Sequence, residues 1–192
     1  MPKPFMVEFT GTPEAGKTTS IHNITNMLSS KGYNVKILRE SAESLPSEIP
    51  KGTWQANLWM HYQTQAGILK AQFSKADIVL IDRGLVDSDF YGKKFLWENV
   101  YSEEQYTKFR SQFMNELFPN FVVALTVSVE ISIARRGGEG RLVNKEYLKR
   151  YNEEFIKYYN EINISKTIIE TSKMSIETMN KKIFDEISKV LP

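Results

Sequence analysis

The sequence predicts an α/β fold with a five-stranded parallel sheet covered by helices on both faces. Two observations lead to this prediction. Short apolar segments alternate along the chain with longer segments of helical periodicity, as they do in βαβ units. The third apolar segment, residues 77–82, is also a nearly continuous run, which is typical of a central parallel strand buried on both faces.

The predicted elements follow each other in a regular order. Strands are expected at residues 5–10, 34–39, 77–82, 120–127 and 166–170. Helices are expected at 17–30, 54–74, 86–99, 103–117, 131–160 with an interruption at 137–140, and 175–190. The first helix places Ile21, Ile24 and Met27 on one face and ends at Gly32. With no repeat or long linker, residues 1–192 are expected to form a single domain.

Composition excludes several classes of function. The chain has 25 Lys and Arg against 23 Asp and Glu, a net charge of +2, which argues against binding nucleic acid or membranes by bulk charge. The absence of cysteine excludes a disulfide scaffold, a thiol nucleophile and a Cys-ligated zinc. No secretory leader pattern and no long apolar stretch is found, so a cytoplasmic location is expected.

The loop after the first strand matches the Walker A pattern in full. It lies between a predicted strand and a predicted helix, as the motif requires. Its backbone N–H groups would cradle the phosphates of ATP, Lys17 would reach the β- and γ-phosphates, and the Thr18 hydroxyl would ligate Mg²⁺. The candidate ATP-binding residues are Gly11, Thr12, Pro13, Glu14, Ala15, Gly16, Lys17, Thr18 and Thr19. The Glu14 side chain is expected to point away from the phosphates, toward an acceptor site.

An acid and an arginine follow the third strand. Ligands of parallel sheets bind at the carboxyl ends of the strands, so Asp82 is a candidate second ligand for Mg²⁺. Arg83 could hold a phosphate or an acceptor group with its planar guanidinium. The alternative is a strand-end acid in a turn and an arginine in a surface ion pair. A GTPase is rejected because Gly84 stands one place too early for Asp-x-x-Gly and residues 144–147 lack the acid of a guanine-binding motif.

Arginines are concentrated around a glycine-rich stretch. Four of the seven arginines fall between 135 and 150, and they are Arg135, Arg136, Arg141 and Arg150. Mobile arginines can stabilise charge on a transferring phosphoryl group, and glycines can act as hinges for a closing segment. The segment 135–145 is therefore a candidate arginine-rich LID. The alternative is a solvated helical face followed by a loop.

In its order of motifs, nearly the whole chain resembles the deoxynucleoside kinase and thymidylate kinase branch of the P-loop kinases. The loop ending at Thr19 and the pair Arg39-Glu40 are similar to thymidylate kinases. Asp82-Arg83-Gly84 resembles the Asp-Arg-aromatic and Glu-Arg-Ser motifs of the two groups. The segment 87–96 is similar to a segment of deoxynucleoside kinases, and residues 135–141 fall where their LID lies. The resemblance implies a three-layer P-loop kinase fold.

The resemblance also implies roles for residues of the acceptor site. Glu40 stands where deoxynucleoside kinases have the general base for the sugar hydroxyl, and the alternative is a strand-end acid paired with Arg39 or Lys17. Gln63 or Gln65 stands near the glutamine that holds the base, and Trp59, with other aromatic residues of the same helix, could stack on it. As helix residues, all of these could instead be ordinary surface or core positions. Related enzymes are commonly dimers, which makes a homodimer one possible assembly.

The acceptor half departs from both groups of kinases. Residues 54–77 contain no arginine to meet an acceptor monophosphate, and the position after Asp82-Arg83 is a glycine instead of an aromatic residue or serine. A nucleoside acceptor is therefore expected, with a thymidylate (dNMP) kinase and a kinase of another small hydroxyl compound as alternatives. A regulatory ATPase that phosphorylates nothing is the remaining hypothesis. ATP and Mg²⁺ are the cofactors expected under each of the three kinase hypotheses.

Overall fold

The computed structural model describes residues 3–136 and 144–192. Its five strands form one parallel sheet, as the sequence predicts. The strands are β1 (Phe5–Gly11), β2 (Val35–Leu38), β3 (Ile78–Asp82), β4 (Phe121–Thr126) and β5 (Lys166–Glu170), and they lie in the order β2-β3-β1-β4-β5. The P-loop strand β1 is central, so the carboxyl ends of β2, β3 and β4 meet around the loop that follows it.

Helices cover both faces of the sheet. The helices of the described ranges are α1 (Lys17–Ser30), α2 (Trp54–Gln72), α3 (Leu85–Trp97), α4 (Glu103–Arg110), α5 (Val129–Arg135), α6 (Lys145–Glu161) and α7 (Ile176–Ser188). Short 3₁₀ turns lie at Ser41–Ser44 and Asn115–Leu117. None of the helices in this part of the chain combines the length and apolarity needed to cross a bilayer.

Strand β1 sends alternate side chains to the two faces. Val7 and Phe9 are fully buried in the cluster formed with α1 and α7. Met6 is buried in the cluster that includes residues of α2 and α3. Because side chains alternate along a strand, Glu8 shares the face of Met6 and points toward α3, which is an unusual position for an acid.

The helix predicted at 103–117 is shorter than expected. It ends at Arg110, and a 3₁₀ turn at Asn115–Leu117 follows. The intervening backbone bonds to α2 instead: Nε2 of Gln65 donates to the Gln112 carbonyl at 3.1 Å, and the Met114 N–H donates to Oε1 of Gln65 at 3.0 Å. This tertiary pairing replaces the helical hydrogen bonds that local propensity favoured. The predicted interruption at 137–140 lies outside the described residues.

Two of the seven helices found in the described residues begin differently from the rest. The side chain of the N-cap residue accepts a backbone hydrogen bond at α2, α4, α5, α6 and α7. Helices α1 and α3 begin after Gly16 and Gly84, which have no side chain to serve as a cap. The first-turn N–H groups of these two helices therefore need other partners. Both helices begin at the edge of the sheet where the candidate site lies.

Candidate active site

The Walker A residues form a compact loop between β1 and α1. Gly16 has a φ of 91°, a left-handed conformation that favours glycine. A side chain at Gly11 would place its Cβ 2.9 Å from the carbonyl oxygen of Leu125 on β4. The Thr12 hydroxyl is buried and accepts a hydrogen bond from the Val127 N–H at 3.1 Å, so it secures the loop to the end of β4. The loop thus presents the uncapped N-terminus of α1, a favourable site for a phosphate.

Charged groups converge beside this helix end. Nζ of Lys17 forms an ion pair with Oδ1 of Asp82 at the end of β3. The same Nζ lies 4.0 Å from Oε2 of Glu40, which follows β2. The sheet order explains this convergence, because β2 and β3 are neighbours and β3 pairs with β1. The residues predicted to bind phosphate, to hold the metal and to accept the proton therefore lie close together.

Arg83 links Glu40 to helix α3. Its Nε lies 3.3 Å from Oε1 of Glu40, and its Nη1 donates to both carboxylate oxygens of Asp87 at 3.1 Å. Burial is the largest single effect and lowers the pKa of Arg83, but the interactions with Asp87, Tyr91, Tyr151 and Glu40 together raise it well above its ordinary value. Arg83 also has a φ of 58°, which is uncommon for a residue with a side chain.

The pKa of Glu40 is raised above its ordinary value. Burial is the largest cause, and the cations Arg83 and Lys17 oppose it. A carboxylate with a raised pKa accepts a proton more readily than one in water. Glu40 is therefore placed and tuned as a general base would be.

A cavity of about 740 Å³ opens on the far side of Glu40 and Arg83, a size typical of sites for small molecules. Helix α2 contributes a wall of Ala56, Asn57, Met60 and Thr64, and helix α3 contributes Asp87, Ser88, Tyr91, Lys94 and Phe95. Nδ2 of Asn57 is buried beside the Tyr101 hydroxyl, and neither group makes a hydrogen bond of normal geometry within the described ranges. A buried amide donor on a cavity wall is a group that a ligand could satisfy.

The structure does not bring Gln63 and Trp59 to this cavity. Gln63 is exposed on α2, and Trp59 is half-buried outside the lining. Gln65 is committed to the backbone at 112 and 114 and to His61, whose Nε2 lies 2.9 Å from its Nε2. Burial lowers the pKa of His61 to about 4, which leaves it neutral and structural. Asn57, Met60 and Thr64 of α2 line the cavity instead.

The first two arginines of the predicted LID contact the P-loop. Nη1 of Arg135 donates to the Glu14 carbonyl at 2.9 Å, and Nη1 of Arg136 lies 3.1 Å from Oε1 of Glu14. Arg136 also lines the cavity, whereas Glu14 does not. Arg141 and most of the predicted LID lie outside the described residues. The guanidinium of Arg150 stacks over Trp97 at 5.4 Å, away from these contacts.

The residues predicted to hold Mg²⁺ fit a site shared with the phosphates. Thr18 is exposed on the first turn of α1, and Asp82 is nearly buried at the end of β3. The part of the chain that the structure describes contains no cluster of three His, Cys, Asp or Glu suited to a metal. One hydroxyl and one carboxylate match Mg²⁺, which commonly keeps waters and takes further ligands from substrate phosphates.

Sequence reasoning missed two acids of this region. Asp87 lies in the segment 87–96 but was assigned no role, although its spacing of four residues from Arg83 predicts an ion pair. Glu8 was predicted to lie in a strand but was given no role of its own. It is fully buried, and burial raises its pKa to about 8. Its position within the apolar run 5–10 was the available signal, because a buried acid needs specific partners.

The parallel sheet, the strand–loop–helix at Gly11–Thr18 and the acid at the end of β3 define a P-loop protein. Residues 6–177 match the model of the family described as AAA domain, and the chain belongs to that family. Two solved structures of deoxyadenosine kinase from M. mycoides share its fold. One, with products dCMP and a flexible dCDP bound, has a TM-score of 0.75 and 18% identity, and the other, with bound dCTP, has 0.74 and 20%. Each alignment covers 97% of this chain and 100% of the other. No curated protein sequence matches the chain.

Proposed function

We propose that the protein is an ATP-dependent kinase that transfers the γ-phosphoryl group of MgATP to a hydroxyl of a (deoxy)nucleoside. The position of Glu40 carries the proposal. Its carboxylate lies 4.0 Å from Nζ of Lys17 on the P-loop and 3.3 Å from Nε of Arg83 on the cavity wall. Glu40 thus stands between a donor site and a cavity of a size suited to a nucleoside.

The donor half would use the P-loop in the usual physical way. The uncapped N–H groups of α1 and the backbone of residues 11–19 would bind the phosphates of ATP, and Lys17 would place fixed charge at the group in transfer. The Thr18 hydroxyl and the Asp82 carboxylate would hold Mg²⁺, directly or through water. The bound ion would supply neutralisation of phosphate charge.

The transfer step breaks one bond to the γ-phosphorus, forms another and moves one proton. The acceptor oxygen forms a bond to the γ-phosphorus, the bond from that phosphorus to the β–γ bridging oxygen breaks, and ADP leaves. The proton of the hydroxyl passes to the carboxylate of Glu40. Arg83, held by Asp87, orients Glu40, while Arg135, Arg136 and Arg141 are proposed to stabilise the charge on the phosphoryl oxygens.

The acceptor is proposed to contact α2 through Asn57, Met60 and Thr64. The buried Nδ2 of Asn57 offers a donor to a base, and Met60 offers an apolar surface. The names of the similar structures, deoxyadenosine kinase with dCMP, dCDP or dCTP bound, support a deoxynucleoside as the class of acceptor. Trp59 and Gln63, predicted from the resemblance, do not line the cavity and are left without a role in this proposal.

A monophosphate acceptor, as in thymidylate kinases, is the second candidate. Lys51 favours it, because this residue lines the cavity and forms no ion pair with any residue in the described ranges. Lys94 also lines the cavity, but its Nζ already lies 2.6 Å from Oε2 of Glu98. A free cation at the cavity could meet the phosphate of a dNMP.

A panel assay tests the proposal. The purified protein is incubated with MgATP and separate deoxynucleosides, ribonucleosides and dNMPs, and both ADP and the phosphorylated product are identified by mass spectrometry. A nucleoside monophosphate should form, and Lys17→Ala should abolish its formation. Turnover confined to a dNMP would establish the second candidate. ATP binding with no product from the panel would indicate another hydroxyl compound, and ADP without any phosphorylated acceptor would indicate a regulatory ATPase.

A cytoplasmic location and a homodimer, both expected from the sequence, are also proposed. For the homodimer, the candidate surface is the C-terminal end of α2. Leu69 and Phe73, four residues apart, are 45% and 79% exposed there, and neither packs in a core cluster of the described chain.

A further inference from the structure

Glu8 is a buried acid that none of the proposed steps uses. It lies in the middle of β1 and is paired in register with Ile81 and Val122, with none of its surface exposed. Burying a carboxyl group costs several kcal/mol unless hydrogen bonds compensate. A buried acid at this position therefore needs hydrogen-bond partners that offset the cost of its burial.

Its partners are the first N–H groups of helix α3. Oε2 of Glu8 accepts a hydrogen bond from the Val86 N–H at 3.1 Å, and Oε1 accepts one from the Asp87 N–H at 2.7 Å. Helix α3 is one of the two helices without a capping side chain of their own. Glu8 therefore caps α3 from the neighbouring strand, whereas the N-terminus of α1 keeps its N–H groups for phosphate.

Glu8 leaves no room for a side chain at position 84, which is a glycine in this chain. A Cβ at position 84 would lie 2.7 Å from Cδ of Glu8, closer than real contacts allow. The glycine after Asp82-Arg83, a departure from the kinases that the sequence resembles, is thus the steric counterpart of Glu8.

The cap acts on the residues that hold Glu40. Asp87 is fixed through its own N–H by Glu8, and its carboxylate binds Arg83 and the Thr10 hydroxyl. On the other side of the turn, the Arg83 N–H donates to the Phe9 carbonyl at 3.0 Å, next to Glu8. Both ends of the turn that carries Arg83 are therefore attached to β1.

We propose that Glu8 is a positioning residue for the acceptor half of the site: by capping α3 it fixes Asp87 and Arg83, and through them the carboxylate of Glu40. It touches neither the phosphates nor the cavity. The catalytic consequence rests on the proposed function, but the positioning of Arg83 does not.

Glu8→Gln is the informative substitution. Glutamine keeps one acceptor oxygen and sets an NH₂ group against the second N–H of α3, so at about pH 9, where the carboxyl of the parent protein is ionised, α3 should shift while the volume is preserved. Small misplacements of catalytic groups are costly, so kcat with the acceptor should fall about 10- to 100-fold, with ATP affinity within about twofold of the unsubstituted protein. Asp89→Asn is the matched control, since Asp89 is a buried acid on the same helix that binds Arg110, Tyr106 and Tyr158 instead of Arg83.

A readout without catalysis separates this inference from the proposed function. The Nε–H signal of Arg83 in ¹⁵N NMR, assigned by its loss in Arg83→Lys, reports the contact with Glu40. It should move in Glu8→Gln in the same direction as in Glu40→Gln, and stay in place in Asp89→Asn. An unmoved signal in Glu8→Gln, or equal movement in both buried-acid variants, would overturn the positioning role even if the kinase assay succeeds. A moved signal with no kinase activity toward any acceptor would instead count against the proposed function alone.

Discussion

Nε of Arg83 lies 3.3 Å from Oε1 of Glu40, and Nη1 of the same guanidinium binds both oxygens of Asp87. One side chain therefore joins the end of β2 to the first turn of α3. The planar guanidinium sets the direction of both contacts, which a lysine could not do. The orientation of Glu40 thus depends on a residue that reaches it from another strand.

Glu40→Gln should reduce phosphoryl transfer by about 10²- to 10⁴-fold, because an amide cannot accept the proton of the acceptor hydroxyl. ATP affinity should change little, since Glu40 lies beside the P-loop and is not part of it. Steady-state kinetics with a fluorescent ATP titration measure both. Glu43→Gln, an exposed acid three residues away, serves as the control. A kcat for Glu40→Gln close to that of the parent would refute the base role.

Lys17→Ala should lower turnover by about 10³-fold or more, because fixed charge is lost where charge is redistributed in the transition state. The substitution also frees Asp82, whose Oδ1 pairs with Nζ of Lys17. Lys31→Ala, at the exposed C-terminal end of α1, is the matched control and should leave turnover unchanged. Single-turnover measurements at saturating ATP check the chemical step, and equal losses in both variants would contradict the prediction.

Asn57→Ala should raise KM for the acceptor about tenfold and leave KM for ATP unchanged, since a hydrogen bond to a ligand in a buried site contributes about 1–1.5 kcal/mol. Gln63→Ala, six residues along the same helix but exposed, should leave both constants unchanged. The pair separates the wall of the cavity from the other face of α2. The reverse result, a defect in Gln63→Ala alone, would favour the role implied by the family resemblance.

The stability of the protein should depend on pH through Glu8. Its ordinary pKa of 4.5 rises to about 8 in the fold, chiefly by burial, with the Asp87 carboxylate adding to the effect. The folded state therefore holds a proton that the unfolded state has lost, so this stabilisation is full below about pH 4.5 and disappears as the pH rises through 8. The phenols of Tyr158 and Tyr159, which also face Glu8, stay neutral over this interval, because burial raises their pKa values.

Urea denaturation at pH 5, 6.5 and 8 measures this dependence. The free energy of unfolding of the parent protein should fall relative to that of Glu8→Gln, by up to about 1.4 kcal/mol per pH unit between the two pKa values. Parallel curves for the two proteins would show that Glu8 does not titrate in this range.

Phe73→Glu should convert a homodimer into a monomer if α2 forms the interface, because a buried carboxylate at the contact carries a large desolvation cost. Sedimentation velocity at several concentrations measures the change. Lys70→Glu, on an exposed part of the same helix, controls for charge alone. A parent protein that sediments as a monomer at all concentrations would contradict the proposed homodimer.

Most of the fold could be predicted because hydrophobic runs and glycines determine it locally. The five strands and the helix at α1 were confirmed within a residue or two. The end of α4 at Arg110 was missed, because the Gln65 amide takes over the backbone at 112 and 114, and that contact spans 47 residues. Local propensity contains no information about such a partner.

The donor half of the site could be read in the same way, since Gly11–Thr18 is a contiguous motif with a local geometry. The acceptor half could not, because its wall depends on the rotation of α2 about its axis. A helix with aromatic and polar residues on several faces gives no clear signal of which face points inward. Asn57 and Gln63 are six residues apart, which places them about 120° apart around that helix, and the first is buried whereas the second is exposed.

The mutual fit of Glu8 and Gly84 has a consequence for the history of this site. Any side chain at 84 requires a smaller residue at 8 to be present first, whereas a change at 8 is compatible with the glycine. Substitutions at the two positions can therefore accumulate in one order and not in the other. A chain in this state can acquire a side chain at position 84 solely by passing through a protein in which α3 has lost its cap.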